Sequence, residues 1–121
     1  MIPDGLFDNN TGVTNFSALF SVCTSLTGIT EGIFDNNTLV TQCQYIFNNC
    51  TSLLSIPDTI FDNCPNIDNF QNSFYSCNSI TGPAPELWVD FPTATTTTGC
   101  FLLSTVTNLA TIPAAWGGGG A

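Results

Sequence analysis

No lysine, arginine or histidine occurs in the 121 residues, whereas nine aspartates and glutamates do, for a formal net charge of −9. No side chain can therefore neutralise a phosphate, which removes the basis of nucleic-acid binding. Electrostatic docking on anionic lipid is excluded for the same reason. Catalysis is left with few tools, because only paired carboxylates of the kind glycosidases use remain. Two regularly repeated acidic columns match a single catalytic pair poorly, so the chain is read as non-catalytic, with no catalytic residues. Long apolar runs are missing too. The stretch from Cys100 to Trp116 contains Ser104, Thr105, Thr107, Asn108, Thr111 and Pro113 and is too short and polar to span a bilayer. Met1 runs directly into a repeat, with neither the basic stretch nor the apolar segment of a signal peptide, so the start reads as a cut.

What is present is a hydrophobic content of 43% with ten phenylalanines, enough for a modest core. These residues recur with a period of 27. Ile2, Ile29 and Ile56 superpose, as do Phe7, Phe34 and Phe61, and then Asp8, Asp35 and Asp62. Val13, Val40 and Ile67 follow, then Phe20, Phe47 and Phe74, then Cys23, Cys50 and Cys77, then Leu26, Leu53 and Ile80. A fourth copy is degenerate. Pro83, Leu87, Trp88 and Phe101 keep register, and a two-residue insertion brings Leu109 and Ile112 into the Leu and Ile columns.

Within a repeat, Phe16, Leu19, Phe20 and Cys23 stand at i, i+3, i+4 and i+7, the spacing of one helical face. Cys43, Ile46, Phe47 and Cys50 repeat it, as do Phe70, Phe74 and Cys77 with Ser73 as the exception. About two turns of helix per copy are expected, capped by Thr14, Thr41 or the Asn and Gln after them, and by Asp68. Leu26–Ile29 and its copies suit a strand of a few residues, ended by Pro3, Pro57 and Pro113. Neither element is stable alone, so each unit must bury its face on its neighbours. The expected fold class is an α/β repeat, a leucine-rich-repeat-like solenoid with one short strand and one short helix per 27-residue coil. It forms one domain over 2–116, with repeats 2–28, 29–55 and 56–82, a degenerate repeat 83–111 and a partial one 112–116. Residues 117–121 read as a Gly-rich tail or linker.

The recurring Val-Thr-x-Phe, Phe-x-x-Cys-x-Ser-Leu and Ile-Pro-x-x-Leu-Phe elements, as in "VTNFSALFSVCTSLTGI" and "IPDGLFDNNT", resemble the repeats of BspA-like leucine-rich repeat surface proteins. The likeness covers residues 2–82. It implies a secreted or surface-attached, non-catalytic protein used in adhesion or interaction. Residues 83–116 depart from the pattern, with Ser104 where a cysteine is expected.

Several columns carry chemistry. Cys23, Cys50 and Cys77 share one column, but without a close Cys pair or any His they are read as packing groups and not as a zinc or redox ladder. Cys43, Cys64 and Cys100 lie off that column. Free thiols are expected for these three, although an exported protein could pair any two of them. Asp4, Glu31 and Asp58 form one acidic column and Asp8, Asp35 and Asp62 another. With no basic partner, these rows must be solvated or bind cations, and carboxylates followed by Asn9 and Asn10, or by Asn36 and Asn37, offer oxygens suited to calcium. No calcium-loop motif is present, so a solvated face is the default and no cofactor is otherwise expected. Asn9, Asn36 and Asn63 are expected to satisfy backbone groups at the bends. Glycosylation sequons begin at Asn9, Asn15, Asn36 and Asn49.

The sequence reading is thus an extracellular or cell-surface interaction and adhesion module that binds protein or glycan through its repeat faces, without membrane insertion in this segment. The alternative is a homo-polymer, a fibre built by end-to-end stacking of apolar coil ends.

Overall fold

The computed structural model describes residues 2–120. From Phe16 onward the backbone closes one tight turn after another. The N–H groups of Leu19, Ser21 and Cys23 donate to the carbonyls of Phe16, Ala18 and Phe20 at 3.2, 3.2 and 3.3 Å. The N–H groups of Phe16, Ala18, Phe20 and Val22 point out of the coil instead and donate to the carbonyls of Gln42, Gln44, Ile46 and Asn48 at 2.8, 2.9, 2.8 and 2.8 Å. The next coil repeats the arrangement, with Cys43, Tyr45, Phe47 and Asn49 donating to Asn69, Gln71, Ser73 and Tyr75. Phe70, Asn72, Phe74 and Ser76 then donate to Thr96, Thr98, Cys100 and Leu102.

This backbone overturns the expected strand-and-helix solenoid. A helix returns each N–H to its own chain four residues back, whereas alternate N–H groups here go to the neighbouring coil. A residue of positive φ also recurs every fourth position, at Ala18 (59°), Val22 (59°), Tyr45 (60°), Asn49 (56°), Asn72 (51°) and Ser76 (60°), then at Gly99 (70°) and Leu103 (60°). Such residues interrupt a right-handed helix. Among the described residues the α-helix is confined to Leu87–Asp90, with 3₁₀ turns at Leu109–Thr111 and Ala114–Trp116. Nor does the Leu26–Ile29 segment become a strand. Pairing between coils is reduced to isolated parallel bridges, Asn15 to Gln42, Gln42 to Asn69 and Asn69 to Thr96. Of the expected cap residues Asn15 serves a turn, whereas in the third copy Asn69 takes the place expected of Asp68, which accepts from Thr95 instead. The Asn15 and Asn69 side chains accept the N–H groups of Ser17 and Gln71 at 2.8 and 3.0 Å, opening a run of turns and not a helix.

The i, i+3, i+4, i+7 pattern survives as a pattern of burial, because the turns also return a side chain to the interior every three or four residues. Cys43, Ile46, Phe47 and Cys50 are all buried, and so are Phe70, Ser73, Phe74 and Cys77. Each side chain then meets its own copy in the next coil. Phe20, Phe47, Phe74 and Phe101 form one stack, with ring centroids 5.2, 5.5 and 5.5 Å apart and planes within 10°. Phe7, Phe34 and Phe61 form a second at 6.1 and 5.8 Å. In the degenerate fourth copy Ile112 is buried as its column requires, but Leu109 is only half-buried and Val106 is the residue that goes inside.

Interior hydrogen-bond donors are matched from coil to coil without any charge, while the amide oxygens of Asn37 and Gln44 are buried without a partner. The Asn37 side-chain amide donates to the carbonyls of Phe7 and Asn10 in the coil before, at 3.1 and 3.0 Å. One coil on, the Cys64 thiol occupies the same place and has one proton to share between the carbonyls of Phe34 and Asn37, at 3.5 and 3.3 Å. Ser73, the apparent exception on the apolar face, has one hydroxyl proton to share between the Cys43 and Phe70 carbonyls, at 2.9 and 2.8 Å. Replacing Asn37 by Ala removes two hydrogen bonds across the first coil boundary, leaving the Phe7 and Asn10 carbonyls with only the Asn10 and Val13 N–H groups, and is expected to cost about 1–3 kcal/mol in urea unfolding. Asn37→Cys, which copies the Cys64 arrangement, should lose distinctly less.

Candidate functional site

The Ile-Pro-Asp element supplies the candidate site. Ile2, Ile29 and Ile56 turn inward and are nearly covered, which brings the residues after them to the surface side by side. The result is a groove of about 660 Å³ crossing three coils, lined by Pro3 and Pro57 at its ends, Thr30 between them, and Ser55. Its floor is apolar, and Asp4 and Glu31 stand on its margin, both exposed. The Thr30 hydroxyl is turned back to the Ile2 carbonyl and ties the first two coils together beneath the groove. Asp58, the third member of that acidic column, is also exposed but does not line the groove.

The second acidic column has a different setting. Asp8, Asp35 and Asp62 are exposed, and the first two carboxylates lie over glycines of positive φ. A Cβ on Gly5 (φ 70°) would approach an Asp8 oxygen to 2.9 Å, and one on Gly32 (φ 75°) would approach an Asp35 oxygen to 3.0 Å. Thr59 replaces that glycine in the third copy. Asp62 instead borders a depression of about 250 Å³ with Phe61, Pro65, Asp90 and Phe91. Among the described residues no three His, Cys, Asp or Glu side chains converge to hold a metal ion. The acids form rows along the stack, and neither row is gathered into a cation cage. Asp68 is the acid with a visible structural role, accepting from the Thr95 N–H at 3.0 Å and its hydroxyl at 2.6 Å across the coil boundary.

All six cysteines are free thiols, and five are buried. Burial pushes Cys50 and Cys64 up from 9.0 to about 11 and Cys77 to about 12, and raises Cys43 and Cys100 further still. A thiolate is the form a metal or a redox partner needs, so these environments hold the sulfurs as protonated donors. Cys50 and Cys77 use that proton on the carbonyls of Phe20 and Phe47, at 3.2 and 3.1 Å. The residues that satisfy backbone groups at the bend are Asn37 and Cys64, one position beyond the expected Asn36 and Asn63, which are exposed, while Asn9 and its neighbour Asn10 in the first coil are both exposed. The substitution of Cys for Asn in that column was the available signal, because it marks a buried position that still needs a donor.

No family model matches the chain, and no curated protein matches it. The resemblance to BspA-like surface proteins therefore rests on the repeat residues themselves.

Two outcomes follow from the thiols. At neutral pH iodoacetamide should label Cys23, the half-buried one, and spare the other five until denaturant is added, as read by intact mass and peptide mapping. The buried thiols keep their protons in the folded state at pH values where the unfolded chain loses them. Stability should therefore hold up to about pH 8.5, the ordinary thiol range, and then fall as pH rises towards the folded values.

Proposed function

We propose that the protein is a non-catalytic interaction module of the cell surface or extracellular space, and that the groove over Ile2, Ile29 and Ile56 receives a polypeptide segment carrying both apolar and basic side chains. The observation that carries this reading is the pairing of an apolar floor with an acidic margin in one groove, on a chain that has no cation of its own. A basic partner meets no like charge anywhere on the molecule and gains from the field of nine acids. The groove is lined by isoleucine and proline without an aromatic ring, which favours an apolar peptide over a sugar seeking a stacking platform. The surface location is supported by the resemblance of the repeats to surface proteins.

The test is titration of the intact protein with a fluorescent peptide of alternating Lys and Leu, compared with a Glu/Leu peptide of equal length. Binding of the basic peptide should weaken about tenfold with Glu31→Lys, a change of about 1.4 kcal/mol, and should fall with added salt. Glu86→Lys, outside the groove, should change it far less. Equal binding by the two peptides, or indifference to Glu31→Lys, overturns the reading.

A further inference from the structure

The main chain along the groove carries polar groups that nothing in the molecule serves. Elsewhere in each coil four N–H groups feed the ladder, and the last bond between coils before the groove runs from the Leu54 N–H to the Thr27 carbonyl at 3.0 Å. The chain then passes outside any turn or bridge, over residues 26–30 and 53–57. Among the described residues neither the N–H nor the carbonyl of Ile29 has a hydrogen-bond partner, and the same holds for Ile56. The two residues are only 8% and 5% exposed, yet both line the groove. Backbone groups with so little access to solvent are nearly always paired.

Neighbouring positions show what serves such groups elsewhere. The Ile2 carbonyl, in the same column, accepts the Thr30 hydroxyl from the coil after it. Pro57 stands where a second such hydroxyl would reach the Ile29 carbonyl, and Ala84 where a third would reach that of Ile56, so neither carbonyl has one to receive. In the fourth coil a carboxamide takes over. The Ala84 N–H donates to Asn108 Oδ1 at 2.8 Å, and Asn108 Nδ2 donates to the Ala84 carbonyl at 3.2 Å. Ala84 is the residue directly after the isoleucine column, the counterpart of Thr30 and Pro57.

We propose that Ile29 and Ile56 pair with the main chain of the polypeptide held in the groove, so that the site recognises peptide bonds as well as apolar and basic side chains. This rests on the reading of the groove given above and adds to it the groups that bind. A peptide bond carries the same planar donor and acceptor that the Asn108 carboxamide brings to Ala84. Apolar and basic side chains have no acceptor for the two N–H groups, and only a peptide main chain offers donors and acceptors together. An extended peptide turns the N–H and C=O of every second residue to one side. Half of its amides therefore face the isoleucine main chain and half face away. Pairing of this kind supplies affinity whatever the sequence, while the groups around it supply the choice of side chain. Asp4 and Glu31 on the margin make that choice in favour of basic residues.

The test compares the alternating Lys/Leu peptide with two ester analogues on the intact protein. In one analogue the N–H of every Leu is replaced by oxygen, in the other that of every Lys, and all side chains stay in place. One analogue should bind about tenfold more weakly than the parent and the other distinctly less so, because sliding the peptide by two residues preserves which set faces the groove. In parallel, NMR hydrogen exchange should show the Ile29 and Ile56 amides slowed about tenfold or more by saturating parent peptide. The Val22 amide, already bonded to Asn48, should not change. Two analogues that bind as the parent does, or Ile29 and Ile56 amides that exchange at their free rate in the complex, overturn the proposal. Binding that still weakens with Glu31→Lys in that case leaves the basic-peptide reading in place. A parent peptide that does not bind overturns both.

Discussion

The backbone ladder between coils is the constraint to which the other features are fitted. Four N–H groups of each coil are committed to the next, at 2.7–3.0 Å across all three boundaries. That commitment fixes the separation of the coils and denies the segment a helix, because the same N–H groups cannot also close helical turns. It also places each side chain over its own copy. Phenylalanine suits such a column because offset parallel rings attract at this spacing, by about 0.5–1.5 kcal/mol per pair beyond the area they bury. The centroid distances of 5.2–5.5 Å in the longer stack are therefore set by the backbone and accepted by the rings.

A stack of identical coils multiplies any unsatisfied group as readily as any favourable one. A buried lysine or aspartate in one column would face another at each step, and like charges in a low-dielectric interior repel strongly. The interior here uses amide, hydroxyl and thiol donors instead. Asn37, Ser73, Cys50, Cys64 and Cys77 each give a proton to a carbonyl of the coil before. Each of these carbonyls also accepts a backbone N–H, so the side chains supply a second donor, and burial keeps the thiols protonated for it; the cysteine columns serve as weak hydrogen-bond donors and filler together. The acids are confined to the outside, where solvent and salt screen one row member from the next.

The period and the inward columns were legible because each depends only on recurrence and hydrophobicity. The backbone conformation was not. A spacing of i, i+3, i+4, i+7 reports when a side chain returns to one face, and a run of tight turns satisfies that report as well as a helix does. The distinguishing features are Ala18, Val22, Tyr45 and Leu103 at positive φ, residue types that carry no signature of that conformation. Asparagine and glycine at Asn49, Asn72 and Gly99 hint at it, but only beside the others in their columns. The Asn column was misplaced by one residue for a related reason. Asn36 and Asn37 are adjacent and chemically alike, and only the replacement of the second by Cys64 one coil on tells which of them faces inward.

The groove ends where the repeat loses its chemistry. Continuing the columns into the fourth coil puts Pro83 in the place of Ile56 and Pro85 in that of Asp58. Ala84 there is buried and held from both sides by the Asn108 side chain, which accepts the Ala84 N–H at 2.8 Å and donates to its carbonyl at 3.2 Å. The fourth coil therefore supplies neither an isoleucine floor nor an acidic margin, and its backbone is tied down where the earlier coils leave a channel. Three coils carry the apolar and acidic surface, while the fourth carries Phe101 and Trp116 and turns to closing the end. The division follows the sequence: the first three copies keep Ile at the inward position and an acid two residues on, and the degenerate copy exchanges both for proline.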